Sequence, residues 1–391
     1  MTGSTQQRLA RIVVKIGTGI LTGGARTLDH ARMADVARQI DEVGRSGVEV
    51  LLVSSGAIAA GRAHLALDGS RRDIPAKQML AAIGQHRLMN VWDRIFADLG
   101  VTVAQTLLTK GDLRSRPGYL NTRNTLLGLV EVGVLPIINE NDVVASDEIR
   151  VDGDNSLFGD NDNLAAMVAN LADAQLLINL TNTGGLYTAD PRTDPDARLV
   201  PEVLRITRSI EALAGGAGTD QGTGGMRTKI ESARLATASG VDVVIAPGLE
   251  PDVLVRLVAG EAIGTRFRAS SSHRESRQRW ILSALTRRAA VHVDHGAADA
   301  LRRRGRSLLA AGVLSIDGRF GRGDPLSVID PDGDRIACGL ANYASADVAR
   351  IKGMHSAAIS DALGYAFGEE VIHRNNLVLV SSRDRPQVSH G

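Results

Sequence analysis

One cysteine, Cys338, stands in 391 residues, which excludes an internal disulfide and is the usage expected in a reducing compartment. Aromatic residues make up only 3%, too few for a surface built to stack nucleic-acid bases. No apolar run reaches the roughly 20 residues that span a bilayer. The net charge of +1 gives no global pull toward nucleic acid or an anionic membrane. The first eleven residues are polar and no apolar core follows them, so no secretory signal is expected. The expectation is a cytoplasmic protein without a membrane partner. Its length suits two domains, and a hydrophobic fraction of 43% suffices for their cores.

Against these scarcities stand 42 glycines, and the densest functional cluster of them is Gly222-Thr223-Gly224-Gly225-Met226-Arg227-Thr228-Lys229. A helical pattern follows it through Ile230, Ala233 and Ala236. Glycines let backbone N–H groups turn toward an anion, and a helix start adds its positive dipole end. Lys229 sits about one turn into that helix, within reach of a phosphate oxygen. The spacing is not that of the P-loop, which places four residues before its Gly-Lys-Ser/Thr. A glycine-rich loop before a helix is also a common flexible connection, so the rest of the chain has to decide.

Residues 12–16, Ile-Val-Val-Lys-Ile, read as a buried strand running into a tight turn at Gly17-Thr18-Gly19. A lysine there either snorkels to the surface or meets a partner at the strand's carboxyl end, where α/β folds place ligands. Asp29 caps a helix over 31–43. A second strand, 48–53, leads into Ser54-Ser55-Gly56-Ala57 and a small-residue helix; that junction is a backbone anion site or an ordinary strand-to-helix turn. A long helix is expected from Pro75 to about Leu99, a strand over 101–107 and a helix over 116–132. A strand at 135–138 ends in Asn139-Glu140-Asn141-Asp142, where Glu140 and Asp142 suit a substrate ammonium or simply a solvated turn. Two related stretches follow, Gly153-Asp154-Asn155 and Gly159-Asp160-Asn161-Asp162-Asn163. The second opens an apolar helix and is favoured for function. A strand at 175–180 precedes an irregular segment, 181–192, with the composition of a ligand-covering loop. After the glycine loop come a strand at 241–246, a helix at 251–259 and a strand at 265–267. Strands alternating with helices predict a mostly parallel sheet sandwiched between helices.

Residues 269–279, rich in Ser, Arg and Glu, read as a linker between a first domain over 8–268 and a second over 280–380. The second shows short strand-like runs and few helices, a small β-rich unit. Its basic run, Arg302-Arg303-Arg304-Gly305-Arg306, fits a solvated helix end better than a nucleic-acid contact.

Taken together and in order, six motifs resemble the glutamate 5-kinases of the amino-acid kinase family: Val13-Val14-Lys15-Ile16-Gly17-Thr18, residues 54–61, Asn139-Glu140-Asn141-Asp142, Phe158 to Asn163, Gly185 to Arg192, and Gly222 to Lys229. The resemblance runs from about Ile12 to Val380. It implies the α/β/α sandwich of that family with a mostly parallel sheet, followed by a PUA-like barrel carrying Gly321-Arg322-Gly323-Asp324 and Leu363-Gly364-Tyr365. The implied reaction moves the γ-phosphoryl of ATP onto the γ-carboxylate of L-glutamate, the first step toward proline. A carboxylate with a pKa near ~4.3 is already ionised at neutral pH and needs no general base. What it needs is neutralisation and alignment of two anions.

By matched position, the resemblance gives Lys15 and Lys229 the task of stabilising the transferring phosphoryl group, with Mg²⁺ bridging phosphates, and gives Asp162 the task of orienting both lysines. Ser55, Gly56, Asn139, Asp142 and Asn161 would bind glutamate. Lys15, Thr181, Asn182 and the run Thr223, Gly224, Gly225, Met226, Arg227, Thr228 and Lys229 would hold ATP; no protein metal site is implied. A homodimer or homotetramer, feedback by proline and a γ-glutamyl phosphate reductase as the next enzyme are implied too, with no established role in RNA binding. There are two departures. Asn182 stands where the family usually has Asp, and residues 151–157 look like extra sequence beside the glutamate site. The alternatives are a kinase of the same fold acting on another amino acid or carboxylate, and a catalytically impaired RNA-binding or regulatory protein.

Overall fold

The computed structural model describes residues 9–65, 73–145, 161–214, 225–270 and 289–380. Two compact units divide the chain: Met1–Leu113 with Thr122–His273, and Arg114–Asn121 with Arg274–Gly391. Of the expected linker, only Ala269 and Ser270 lie within the described residues.

Through residue 270 the chain runs β1 (Arg11–Ile16), α1 (Thr18–Thr22), α2 (His30–Arg45), β2 (Glu49–Ser54), α3 (Ala57–His64), α4 (Ile74–Asp98), β3 (Val103–Leu108), α5 (Lys110–Arg114), α6 (Arg116–Glu131), β4 (Leu135–Glu140), α7 (Asn161–Leu171), β5 (Leu176–Thr181), β6 (Glu202–Val203), α8 (Arg208–Leu213), α9 (Met226–Ala238), β7 (Asp242–Pro247), α10 (Val253–Val258) and β8 (Thr265–Phe267), all in the larger unit except Arg114 and the first part of α6. The strands of the larger unit form one sheet in the order β3-β4-β2-β1-β5-β7-β8-β6. Pairing is parallel from β3 through β7, and β8 runs antiparallel to β7. This is the mostly parallel sheet expected from the sequence.

Both faces of the central strands are buried, which explains their unbroken apolar runs. Ile12, Val14 and Ile16 of β1, with Ile178 of β5, pack against Met33, Val36 and Ile40 of α2, Trp92 and Phe96 of α4, and Leu254 and Leu257 of α10. Alternation sends Val13 and Lys15 of β1 and Leu177 and Asn179 of β5 to the opposite face. There α7 lies against β1 and β5, and α9 against β7 and α7. Asp29 and Asp73 cap α2 and α4 through bonds to backbone N–H groups, and Pro75 sits in the first turn of α4.

Some details differ from the sequence reading. Thr18 opens the short helix α1 where a tight turn is expected, β3 starts two residues later, and α5, β6 and α8 carry no pattern long enough to register. A two-residue strand such as β6 has no periodicity to read.

The smaller unit holds β9 (Ala290–Val293), α11 (His295–Arg304), β10 (Leu308–Leu309), β11 (Val313–Asp317), β12 (Pro325–Ile329), β13 (Arg335–Leu340), α12 (Ser345–Ile351), α13 (Ile359–Leu363), β14 (Glu370–Ile372) and β15 (Leu377–Leu379). Five strands form a sheet in the order β11-β9-β12-β13-β15, and β10 pairs with β14. Val291, Leu326, Val328, Tyr343 and Ile372 lie in its core. Arg302, Arg303 and Arg304 occupy the last turn of α11. Arg302 pairs with Asp330 at 2.6 Å, and Arg303 and Arg304 pair with Asp299. The basic run is thus a helix end with local acidic partners. Cys338 is free and buried, and burial pushes its thiol up to about 11. Among the described residues, no helix is long and apolar enough to cross a membrane.

Candidate active site

At the head of α7, two consecutive side chains serve two different clusters. Asp162, 1% exposed, turns to a pair of lysines, and Asn161 turns to a set of neutral polar groups.

Lys15 comes from the carboxyl end of β1, and its Nζ lies 2.5 Å from Asp162 Oδ1. Lys229 comes from the first turn of α9, and its Nζ lies 3.0 Å from Asp162 Oδ2. Thr228 donates its hydroxyl to the same Oδ2 at 2.7 Å, and Ser232 donates to the Asp162 carbonyl at 2.7 Å. Both lysines are buried, so Lys15 does not snorkel outward. Burial by itself raises the Asp162 pKa, but the charges of Lys15 and Lys229 and bonds from Lys15 and Thr228 outweigh it, holding the carboxyl well below the usual carboxylate range. One carboxylate thus aligns two ammonium groups, an arrangement suited to a polyanion.

Asn161 donates its amide to Ser55 Oγ at 2.8 Å and to Asn139 Oδ1 at 2.9 Å. Asn139 in turn donates to Gln85 Oε1 at 2.8 Å. Asn161 Oδ1 is buried with no hydrogen-bond partner among the described residues. A buried acceptor in that state normally meets a donor from a ligand or water. Ser55 follows β2, where Trp92 Nε1 donates to Ser54 Oγ and Ser54 Oγ donates to the Ser55 carbonyl, each at 3.0 Å. Gly56 opens α3 at φ 111°, a left-handed conformation that favours glycine.

Asp142 follows β4 and is 8% exposed. Burial, and then the like charge of Glu140, push its pKa up to about 7. An acid held this way is poised to gain from a cation.

Among the residues expected to hold the nucleotide, Thr181 ends β5, and its carbonyl accepts from Gly248 N at 2.8 Å. A Cβ on Gly19 would lie 2.7 Å from Asn182 Nδ2, so the Asn182 amide rests against a backbone with no room for a side chain. Gly17 has its open side toward Lys15 Nζ, 3.6 Å from where a Cβ would stand. Arg227 is exposed and pairs with Glu231, and Gly225 and Met226 begin α9. Gly222, Thr223 and Gly224 lie outside the described residues, as does the 151–157 segment with Asn155. Among the described residues, no group of three Asp, Glu, His or Cys side chains could hold a metal ion.

The amino acid kinase family model matches residues 10–247, and the PUA domain model matches residues 289–363. The chain belongs to the amino acid kinase family. It is 56% identical over 370 residues to the glutamate 5-kinase of Dehalococcoides mccartyi (strain ATCC BAA-2266 / KCTC 15142 / 195), covering 95% of this chain and 98% of that one. It is 53% identical over 368 residues to the glutamate 5-kinase of Herpetosiphon aurantiacus, covering 94% and 98%. It is also 49% identical over 370 residues to that of Deinococcus radiodurans, covering 95% and 100%. Membership of a kinase family implies the use of ATP.

Gln85, Trp92, Thr228 as a donor to Asp162, and Ser232 are parts of this amino acid kinase site that the sequence motifs do not reveal. Gln85 is brought in by glycines. A Cβ on Gly84 would lie 1.7 Å from the Ala57 carbonyl oxygen, and one on Gly61 would lie 2.0 Å from that of Leu80. Helices α3 and α4 therefore pack backbone to backbone, and the residue after Gly84 reaches Asn139. A glycine inside an otherwise good helical pattern is the one available signal.

Proposed function

We infer that this protein is an ATP-dependent glutamate 5-kinase, forming γ-glutamyl phosphate and ADP at the head of proline biosynthesis. The observation that carries the reading is the adjacency of Asn161 and Asp162. One side chain belongs to a neutral polar cluster fit for an amino-acid substrate, and the next belongs to the lysine pair. A substrate carboxylate held on the first cluster would face a phosphoryl group held on the second.

The attacking γ-carboxylate is ionised at neutral pH, so the protein has no proton to remove. Its work is to bring two anions together and to stabilise charge on the transferring group. Lys15 and Lys229 supply the positive charge. Asp162 fixes both ammonium groups in advance, so little reorganisation remains for the transfer itself. Ser55, the Gly56 backbone, Asn139 and Asn161 bind and orient glutamate, and Asp142 pairs with its ammonium. Thr181, Asn182 and the run from Thr223 to Thr228, with Lys15 and Lys229, hold the nucleotide. Their fit is supported by the two ammonium groups aligned on Asp162 and by the close approach of Lys15 Nζ to Gly17. Mg²⁺ would be carried by the phosphates and would neutralise part of their charge.

The same reading assigns residues 8–268 to catalysis, 269–279 to a linker and 280–380 to a PUA-like domain. It makes proline a competitor at the glutamate site, since proline carries the same α-carboxylate beside a cationic nitrogen. The product is an acyl phosphate prone to hydrolysis, for which a γ-glutamyl phosphate reductase is the natural consumer. A cytoplasmic homodimer or homotetramer completes the proposal. The test is formation of glutamyl hydroxamate from ATP, Mg²⁺, glutamate and hydroxylamine. Hydroxamate with glutamate, and not with aspartate or acetylglutamate, is expected; its absence with glutamate refutes the reading.

A further inference from the structure

Helices α7 and α9 lie against each other, and small buried side chains are frequent on both. Ala165, Ala166 and Ala169 on α7 and Ala233 and Ala236 on α9 are all fully buried. Such surfaces pack closely but do little to fix the sliding register of one helix on the other, because interlocking large side chains are what define it. Toward the far end of α7, the cross-bond is Asn170 Nδ2 to the Leu235 carbonyl, long at 3.4 Å and exposed. At the near end, Ser232 Oγ donates to the Asp162 carbonyl at 2.7 Å. Ser232 is 0% exposed. A serine inside a helix usually satisfies its hydroxyl on the carbonyl one turn back in its own helix. This one crosses to the neighbouring helix instead, and it lands on the residue whose carboxylate holds both lysines.

We propose that Ser232 is a positioning residue for phosphoryl transfer: it pins α9 to α7 so that Lys229 and Thr228 meet Asp162. The proposal rests on the kinase reading above. Thr228, Lys229 and Ser232 sit on consecutive turns of α9, and all three bond Asp162, two through Oδ2 and one through its carbonyl. The two side-chain bonds to Oδ2 are the ones that a bound phosphoryl group competes with. The bond to the carbonyl has no such competitor, so it keeps the helices in register while Lys229 engages phosphate. The glutamate cluster hangs on Asn161, Asn139 and Gln85, away from α9.

The experiment compares the intact wild-type chain with Ser232→Ala and Ser232→Cys. Alanine is the better helix former, so the substitution does not weaken α9 itself. Two readouts are taken: steady-state hydroxamate formation, and amide hydrogen exchange over 161–171 and 226–238. Expected are a kcat about tenfold lower, a glutamate KM within twofold of wild type, and faster exchange confined to those two segments. A kcat within twofold of wild type overturns the proposal. So does a joint change in kcat and glutamate KM with faster exchange throughout, which would mark a general structural role. If the wild-type chain forms no hydroxamate, the kinase reading fails, and exchange alone then judges Ser232: unchanged exchange at 226–238 in Ser232→Ala overturns the pin.

Discussion

Glutamate capture should switch off in mild acid, and Asp142 is the reason. Its pKa in the folded protein is raised from 3.8 to about 7 by burial and by Glu140. Only the ionised form pairs with a substrate ammonium. With a pKa near 7, roughly one Asp142 in eleven is ionised at pH 6 and about ten in eleven at pH 8. The kcat/KM for glutamate, which reports ionisations of the free enzyme, should therefore fall about tenfold from pH 8 to pH 6. Asp142→Asn should lower kcat/KM at pH 8 by about a hundredfold, the scale for removing one partner of a buried charged bond. It should also flatten the profile between pH 6 and 8, and the variant-to-wild-type ratio cancels any titration of the nucleotide. Stability moves in the opposite sense. The folded state holds the Asp142 proton more tightly than the unfolded chain, so the favourable contribution is complete below about pH 4. It is lost as pH rises toward 7, by on the order of 4 kcal/mol. Asp142→Asn should then melt higher than wild type at pH 8. A flat wild-type profile, or an acid limb that survives in Asp142→Asn, would refute this argument.

Three further outcomes follow from named contacts. Lys229→Ala should cut kcat by about 10²–10³-fold, the scale for losing a preorganised partner of transition-state charge, while glutamate KM stays near wild type; a loss below threefold would remove Lys229 from the transfer step. Asn179→Leu should stabilise the fold by about 1–3 kcal/mol in urea unfolding, since both amide atoms of Asn179 are fully buried with no hydrogen-bond partner among the described residues. Gly84→Ala should destabilise by roughly 3 kcal/mol, because a Cβ 1.7 Å from the Ala57 carbonyl oxygen must force α3 and α4 apart; the accompanying rise in glutamate KM would report displaced Gln85.

The sheet was legible because its strands are buried on both faces and its helices alternate with them. Val13-Val14-Lys15-Ile16 could hardly be anything but a central strand, and the lone lysine in it left two routes open, a snorkel to the surface or a partner, between which the family resemblance chose. That partner was within reach of the sequence too, since Asp162 opens a helix beside Asn161. What the motifs could not give was reach between distant segments. Gln85 lies 54 positions from Asn139 and gains its place only because two glycines let α3 and α4 touch. Ser232 lies 70 positions from Asp162 in an ordinary helical pattern, with nothing local to separate it from a solvent-facing serine. Asn179 reads as one polar letter in an apolar strand, and its isolation is visible only when the helices above it are in place.

The two clusters differ in what they spend their hydrogen bonds on, and that difference orders the events of a turnover. Asp162 is engaged on three sides: Oδ1 forms an ion pair with Lys15, Oδ2 pairs with Lys229 and accepts from Thr228, and the carbonyl accepts from Ser232. Both ammonium groups are therefore held on one carboxylate before any ligand arrives. In the neighbouring cluster Asn161 Oδ1 has no partner among the described residues, and Asp142 is close to its titration point. On the proposed reading, a polyanion would meet lysines already in place, and glutamate would complete the second cluster by donating to Asn161 and by holding Asp142 in the ionised state. Proton release on glutamate binding follows from this asymmetry. Near pH 7, glutamate binding should release close to half a proton as Asp142 ionises against the substrate ammonium, whereas nucleotide binding should release none from Asp162, whose carboxyl is held ionised throughout. Calorimetry of glutamate binding in two buffers of different ionisation enthalpy would read that proton directly, and a buffer-independent heat would place the raised carboxyl somewhere other than the glutamate site.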